Sequence, residues 1–415
     1  MKKLLLASLL FACMLMPAYA FTSRSLLFAD SYMLRARGCD ANYWNPALLN
    51  KADHDIWIPG LNTGVYAGNN TINLDLYNFV MTQDYLEEDD KQRILDAIDD
   101  RIAIDLGANV GLFGFTAGSV AISSALHLAT KAGFDEQYIK LLLYGNGDGS
   151  ETYDFTEENN YVQALSYLDL TVGVGNIRLP LPKVIPDIKF GLAVSALGGI
   201  GGGGTEEFDG YLSSNIDGFT VHQDIHAKGG AGGYGAKGLI GLYSEPLQGL
   251  RVGATLDNIL GFIKWEYESR EADLHLAVDS LYALDIEEDF YTYEFNESQI
   301  DPFTTKLPME MRLAAMYRIK PVSLSLDYIQ GFDRSAATSS RGRFAIGAEI
   351  RPWQFLPIQI GCGTGTGDYL WRTSYGLGFD FKAIEFGIGI QSIESLIPSP
   401  STKGIAVATY FNLRL

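Results

Sequence analysis

"MEMRLAAMYRI", residues 309 to 319, alternates residue by residue. Met309, Met311, Leu313, Ala315, Tyr317 and Ile319 fall on one side, and Glu310, Arg312, Ala314, Met316 and Arg318 on the other. A period of two marks a strand, because successive side chains leave a pleated backbone on opposite faces. The pattern recurs towards the C-terminus. Val322, Leu324, Leu326 and Tyr328 oppose Ser323, Ser325 and Asp327, and Phe344, Ile346, Ala348 and Ile350 oppose Arg343, Ala345, Gly347, Glu349 and Arg351. Tyr375, Leu377, Phe379 and Phe381 oppose Ser374, Gly376, Gly378 and Asp380, and Ile384, Phe386, Ile388 and Ile390 oppose Glu385, Gly387, Gly389 and Gln391.

Which face turns inward decides the class. In a soluble sandwich the large apolar side chains meet in a core; in a transmembrane barrel they meet lipid, and small and charged residues line the lumen. Three features favour the barrel. Tyr317, Tyr328, Tyr375 and Phe381 sit near the ends of apolar faces, as an interfacial girdle requires. The opposite faces are rich in Gly and charge. The chain also ends on a strand, with Ile405, Val407, Thr409, Phe411, Leu413 and Leu415 on one side and no polar tail.

Further strands are predicted at 60–74, 102–113, 115–128, 161–174, 188–197, 219–228, 234–243, 250–256, 262–278 and 358–366. Single-chain bacterial barrels have an even strand number, and the expected fold is an all-β, antiparallel transmembrane β-barrel of about 14 strands, within 12 to 16. Two short helical inserts are expected, at 87–98 and at 136–144 ("EQYIKLLLY"), the latter closed by Gly145 and Asn146.

Composition agrees: 45 Gly, 23 Tyr and 22 Phe against 14 Pro fit many strands and tight turns. The net charge of −19 argues against nucleic acid as a partner, because phosphate binding needs a basic face. Much of the acid is concentrated in 84–105 and 285–289, which read as connecting segments. Three Cys (Cys13, Cys39 and Cys362) are too few for a disulfide framework.

The first 20 residues read as a signal peptide: Lys2 and Lys3, an apolar run over 4–16, and a small-x-small site at Ala18, Tyr19 and Ala20. A lipoprotein box ending at Cys13 is the competing reading. The expected organisation is signal peptide 1–20, an N-terminal hatch segment 21–50 and a barrel over 51–415.

Candidate chemistry is sparse. "GGIGGGG" (198–204) lacks the Lys-Ser/Thr and the helix of a phosphate loop and reads as a hairpin or a kink facing the lumen. In "HQDIH" (222–226), His222, Asp224 and His226 share a strand face and could close on a metal; the plainer expectation is polar residues lining a wet lumen, with Arg312 and Glu349 as further lumen candidates. The acidic runs 87–90 and 287–289 lack EF-hand spacing. No hydrolase or metalloprotease motif occurs, so neither catalysis nor a cofactor or metal is expected.

Residues 36–49, "ARGCDANYWNPALL", complete the reading. Gly38 and Asp40 favour a turn, Pro46 pushes Asn45 out of helical backbone, and Tyr43, Trp44, Leu48 and Leu49 need a dry surface. This stretch resembles the segment carrying the Asn-Pro-Ala signature of the long-chain fatty-acid transporter superfamily of outer-membrane barrels. "LGANVGLFGF", "YIKLLLYGN", "LPMEMRLAAMYRI" and "LPIQIGCG" are similar to a related, uncharacterised barrel family. The resemblance implies an outer-membrane location in a Gram-negative-type envelope, with Tyr43, Trp44, Asn45, Pro46 and Ala47 in a hatch inside the barrel. It also implies a hydrophobic small-molecule cargo, with membrane lipid and, during biogenesis, the barrel assembly machinery as partners. The chain departs from the superfamily in its acidic helical insert and in closing on Leu415. The alternative expectation is a scaffold or shuttle for a secretion or surface-attachment system, and a third is a secreted β-sandwich.

Overall fold

The computed structural model describes residues 22–415 apart from 51–53, 84, 99, 146–151, 181–186, 216–217, 282–290, 337 and 366–368. The expected signal peptide and the acidic run 287–289 lie outside the described residues. No described helix is long and apolar enough to cross a membrane.

Fourteen antiparallel strands close into a barrel. They are β1 (Asn62–Asn69), β2 (Arg101–Ala117), β3 (Val120–Asp135), β4 (Tyr161–Arg178), β5 (Ile188–Asn215), β6 (Gly218–Leu247) and β7 (Leu250–Leu281). The second half comprises β8 (Glu310–Ile319), β9 (Val322–Gly331), β10 (Arg343–Trp353), β11 (Leu356–Thr364), β12 (Trp371–Asp380), β13 (Ile384–Ile393) and β14 (Gly404–Arg414). Each pairs with its neighbour, and β14 pairs with β1 (Val407↔Val65), which leaves the barrel no free edge. Four shorter strands, Asp55–Trp57, Thr152–Thr156, Tyr291–Gln299 and Phe303–Lys306, add to its rims. One end has turns of two residues, at 118–119, 248–249, 320–321 and 354–355; the other carries the long connections and helices.

The alternation sorts as a membrane barrel requires. On β8, Leu313 is 43% exposed and Arg312 1%. Leu324, Leu326, Phe344, Ile346, Phe386, Ile388, Ile405 and Val407 all face outward. Ser323, Ser325, Asp327, Arg343, Ser374, Glu385, Gln391 and Asn412 are buried on the inside. A sandwich would have buried the first set. Such a continuous apolar belt exceeds what a soluble monomer leaves in water.

Several sequence-level boundaries are corrected. The predicted pairs 219–228/234–243 and 250–256/262–278 are single strands, β6 and β7, and β5 runs on past 197 through the whole glycine stretch 198–204, which is no hairpin. The reason is local: register shifts interrupt β6–β7 pairing near 231–233 and 236–240, and Gly232, Asn258 and Leu260 adopt positive φ, so the period of two breaks while the strand continues. The split at Gly114 is likewise a bulge near 111–113, and β2 turns only after Ala117. Predicted strand 60–74 stops at Asn69; Leu74–Thr82 is instead a helix whose cap Asn73 accepts from Leu76 N–H. The helices expected at 87–98 and 136–144 are found at Glu88–Asp96 and Glu136–Tyr144.

Candidate functional site

Residues 22–49 lie inside the barrel, and nearly all are buried. The segment is short of regular structure: one helical turn at Ser23–Leu26, another at Ala41–Trp44, and 3-10 turns at Gly38–Asp40 and Pro46–Leu48. Pro46 supplies the reason for the last break. Asn45 is extended (φ −160°), as a residue before proline must be, and its side chain caps the next turn by accepting from Ala47 N–H at 3.1 Å. Its amide donates to the Leu242 carbonyl of β6 at 3.1 Å. Trp44 is 2% exposed and donates its indole N–H to Thr22 Oγ1.

The wall is shaped to receive this turn. A Cβ on Gly175 of β4 would lie 1.7 Å from the Pro46 carbonyl oxygen, and one on Gly191 of β5 would lie 2.2 Å from Ala47 N. Only glycine leaves room for a second backbone this close to a strand.

Charge fixes the remainder of the segment. Arg312 donates to the Tyr43 carbonyl at 3.1 Å, to Glu310 at 2.8 Å and to Asp257 at 3.1 Å, and its guanidinium lies 4.6 Å from the Trp44 ring. Lys237 reaches Asp257, and Arg343 reaches Glu310, which gives a buried five-membered network across β6, β7, β8 and β10. Farther along the segment Arg372 of β12 binds Asp30 at 2.6 Å, and Asp327 of β9 accepts from Ser31 Oγ at 2.6 Å and Met33 N–H at 3.2 Å. Towards the short-turn end, Glu385 accepts from Arg24, Arg37 and Arg414. Burial pushes the Asp40 carboxyl upward while nearby Arg24 opposes the shift, and burial raises the Cys39 thiol as well. Cys39 and Cys362 are both free, the first buried and the second exposed.

A further anchor lies where the β3–β4 ladder skips from Ser123↔Thr171 to Leu126↔Leu168. The Asp169 carboxylate fills the gap, accepting from Ala125 N–H at 2.9 Å and Tyr43 O–H at 2.9 Å, with His127 Nε2 at 2.7 Å. Sequence reasoning missed Asp169, Asp257 and Glu385. Their one visible signal is an acid among the small residues of an inward face, which by itself does not say what it binds.

A cavity lies towards each end of the barrel, and the N-terminal segment lines the first of the two. At the short-turn end a cavity of about 310 Å³ is lined by Arg35, Lys189, Arg251, Arg318, Glu349 and Arg351, among others, and its wall is dominated by cations. Glu349, a predicted lumen residue, lies here and accepts from Arg351 at 2.8 Å. At the long-loop end a cavity of about 290 Å³ is lined by Leu165, Phe303 and Ala336 together with Gln163, Lys228 and Arg334. Leu165, Phe303 and Ala336 belong to an apolar cluster built around fully buried Trp265, with Tyr167, Leu197, Ile263 and Leu307.

His222, Asp224 and His226 lie farther out, on the part of β6 that projects beyond the barrel with β7. His222 and His275 both hydrogen-bond to Asp224, at 2.8 and 2.6 Å, whereas His226 pairs with Asp273 at 2.6 Å. The structure therefore recruits His275 of β7 to the first two residues and separates His226 from them. The hydrogen bond from His275, reinforced by the charge of His222, holds the Asp224 carboxyl below its ordinary range.

No protein family and no curated protein matches this sequence. Solved structures do. The Pseudomonas putida toluene transporter TodX aligns over 97% of this chain and 99% of its own, at 10% identity and a TM-score of 0.50. The fold is that of the long-chain fatty-acid transporter barrels. A Pseudomonas aeruginosa FadL homologue gives the same score and identity over 96% and 99% of the two chains. At this identity the likeness to FadL-type barrels is one of architecture, and the chemistry of the lumen has to be read from the residues above.

Proposed function

We propose that this chain is an outer-membrane barrel through which small hydrophobic molecules pass, with residues 22–50 as its hatch. The observation that carries the reading is the 290 Å³ cavity at the long-loop end, walled on one side by Leu165, Phe303 and Ala336 of the Trp265 cluster, in a barrel whose lumen the N-terminal segment occupies. The cavity is open and its other side is polar, with Gln163, Glu206, Lys228, Lys306 and Arg334, but its volume leaves room for a monoaromatic hydrocarbon or a short aliphatic chain against the apolar side. Similarity of fold to a toluene transporter and to a FadL homologue supports the same cargo class and the same membrane. The segment is seated by an apolar cluster that includes Leu27, Phe28, Met33 and Trp44 and by buried polar and charged contacts, so undocking it has to be driven by the solute's differential affinity. A solute that binds better to the undocked arrangement shifts the population towards it without any catalytic step.

The test is uptake of labelled toluene and of a labelled fatty acid by cells whose own such barrels have been deleted. Expression should raise the entry of at least one of them; entry equal to that of an empty vector for both refutes the reading. A second reading, a scaffold or shuttle for a secretion or surface-attachment system, has its own support in the long projecting β6–β7 ribbon. Tyr267, Tyr291, Tyr293 and Phe295 are exposed there. Truncating that ribbon should leave uptake intact if passage is the function.

A further inference from the structure

The projecting ribbon carries a row of donors that passage of an apolar solute does not use. Asp224 of β6 sits directly across from His275 of β7, and the row continues to Asp209 of β5 on one side and to Glu294 on the other. His222 lies two residues along on the same face. One ligand atom from each of His222, Asp224 and His275 falls within a mutual spacing of 4.8 Å, and both imidazoles already converge on the same carboxylate. All three side chains are partly exposed, so an ion can reach them. His275 lies 25 residues along β7 from the short-turn end. With strand rise and tilt this is roughly 60 Å, far beyond an apolar band about 25 Å tall.

We propose that His222, Asp224 and His275 form a binding site for a divalent transition metal of the Zn²⁺ class at the outer mouth of the barrel. Two imidazoles and one carboxylate are the donor set that Zn²⁺ takes when a coordination position is left to water. The hard cations Ca²⁺ and Mg²⁺ prefer all-oxygen shells. The ion replaces the protons that the two imidazoles now share with Asp224, and Asp209 and Glu294 add negative charge from the same row. Because the donors come from two strands, the ion clips β6 to β7 above the membrane. Lys228, on the same face of β6 as His222 and Asp224, lines the loop-side cavity, so the clip stands over the entrance to the proposed path.

The experiment uses the full chain in detergent without a polyhistidine tag. Co²⁺ titration should give one saturable equivalent with visible d–d bands, displaced by Zn²⁺. His222→Ala, His275→Ala and Asp224→Asn should each weaken binding by at least the roughly 10–100-fold that loss of even an outer partner of a metal ligand causes. His226→Ala should retain one equivalent. In the unaltered chain Zn²⁺ should protect His222 and His275 from ethoxyformylation, mapped by mass spectrometry. Absence of saturable binding, or equal affinity in the His222→Ala/His275→Ala double variant, overturns the proposal. So does greater loss in His226→Ala than in His275→Ala. Uptake measurements are independent of these readouts, so failure of the metal site and failure of the passage reading are separately visible.

Discussion

Gly191→Ala tests the seat of the N-terminal segment most sharply. The added methyl would lie 2.2 Å from Ala47 N and 2.3 Å from the Pro46 carbonyl carbon, both backbone atoms. Ordinary contact begins about 1 Å farther out, and neither a strand tied on both sides nor a proline turn can yield by rotating a side chain. Overpacking of this kind costs about 1–3 kcal/mol; 2 kcal/mol is roughly a 30-fold change in the docked-to-undocked ratio. Cys39 supplies the readout. It is 1% exposed on the same segment and its thiol is held up by burial, so alkylation requires undocking. In a Cys362→Ser background, Gly191→Ala should speed maleimide labelling of Cys39 by roughly 30-fold. Gly198→Ala, on the same strand but with nothing within 4 Å of the added carbon, should leave it unchanged. Equal labelling rates in the two variants would refute the fitted seat.

Deleting residues 22–50 should leave a barrel that still inserts but conducts more in planar bilayers, because the segment's place in the lumen is then water; unchanged single-channel current would mean that it does not close the path. Ile388→Arg, on the outward face, should hinder membrane assembly by about 2–4 kcal/mol, seen as loss of the heat-modifiable band. Gln391→Arg should assemble but release Cys39 to alkylation, since Gln391 is buried on the lumen side and bonds Ser374 Oγ at 2.9 Å. Arg312→Met should cost about 3 kcal/mol, the low end for a broken buried pair, because Lys237 and Arg343 still serve Asp257 and Glu310; thermal unfolding in detergent measures it.

The period of two in β8 to β14, with Gly, Ser and charge on one face and Leu, Ile and Phe on the other, is a property of the sequence. Together with the aromatic girdle, the terminal strand and a count of the segments along the whole chain, it leads to the expectation of a lipid-facing barrel of about 14 strands. The Asn45-Pro46 turn is equally local, because proline restricts its predecessor whatever surrounds it. Legibility fails where strand geometry stops being regular. The bulges and positive-φ residues of β6 and β7 shift the phase of the alternation, so two long strands read as four short ones, and the ribbon that carries His275 could not be seen to project beside His222 and Asp224. Partnership across the lumen is less legible still. Arg312 reads as one more polar residue on a strand, yet it meets the Tyr43 carbonyl 269 positions away, and Glu385 meets Arg24 361 positions away. Strand alternation says which way a side chain points; barrel closure alone decides what it meets, because closure sets which strands face one another across the segment they enclose.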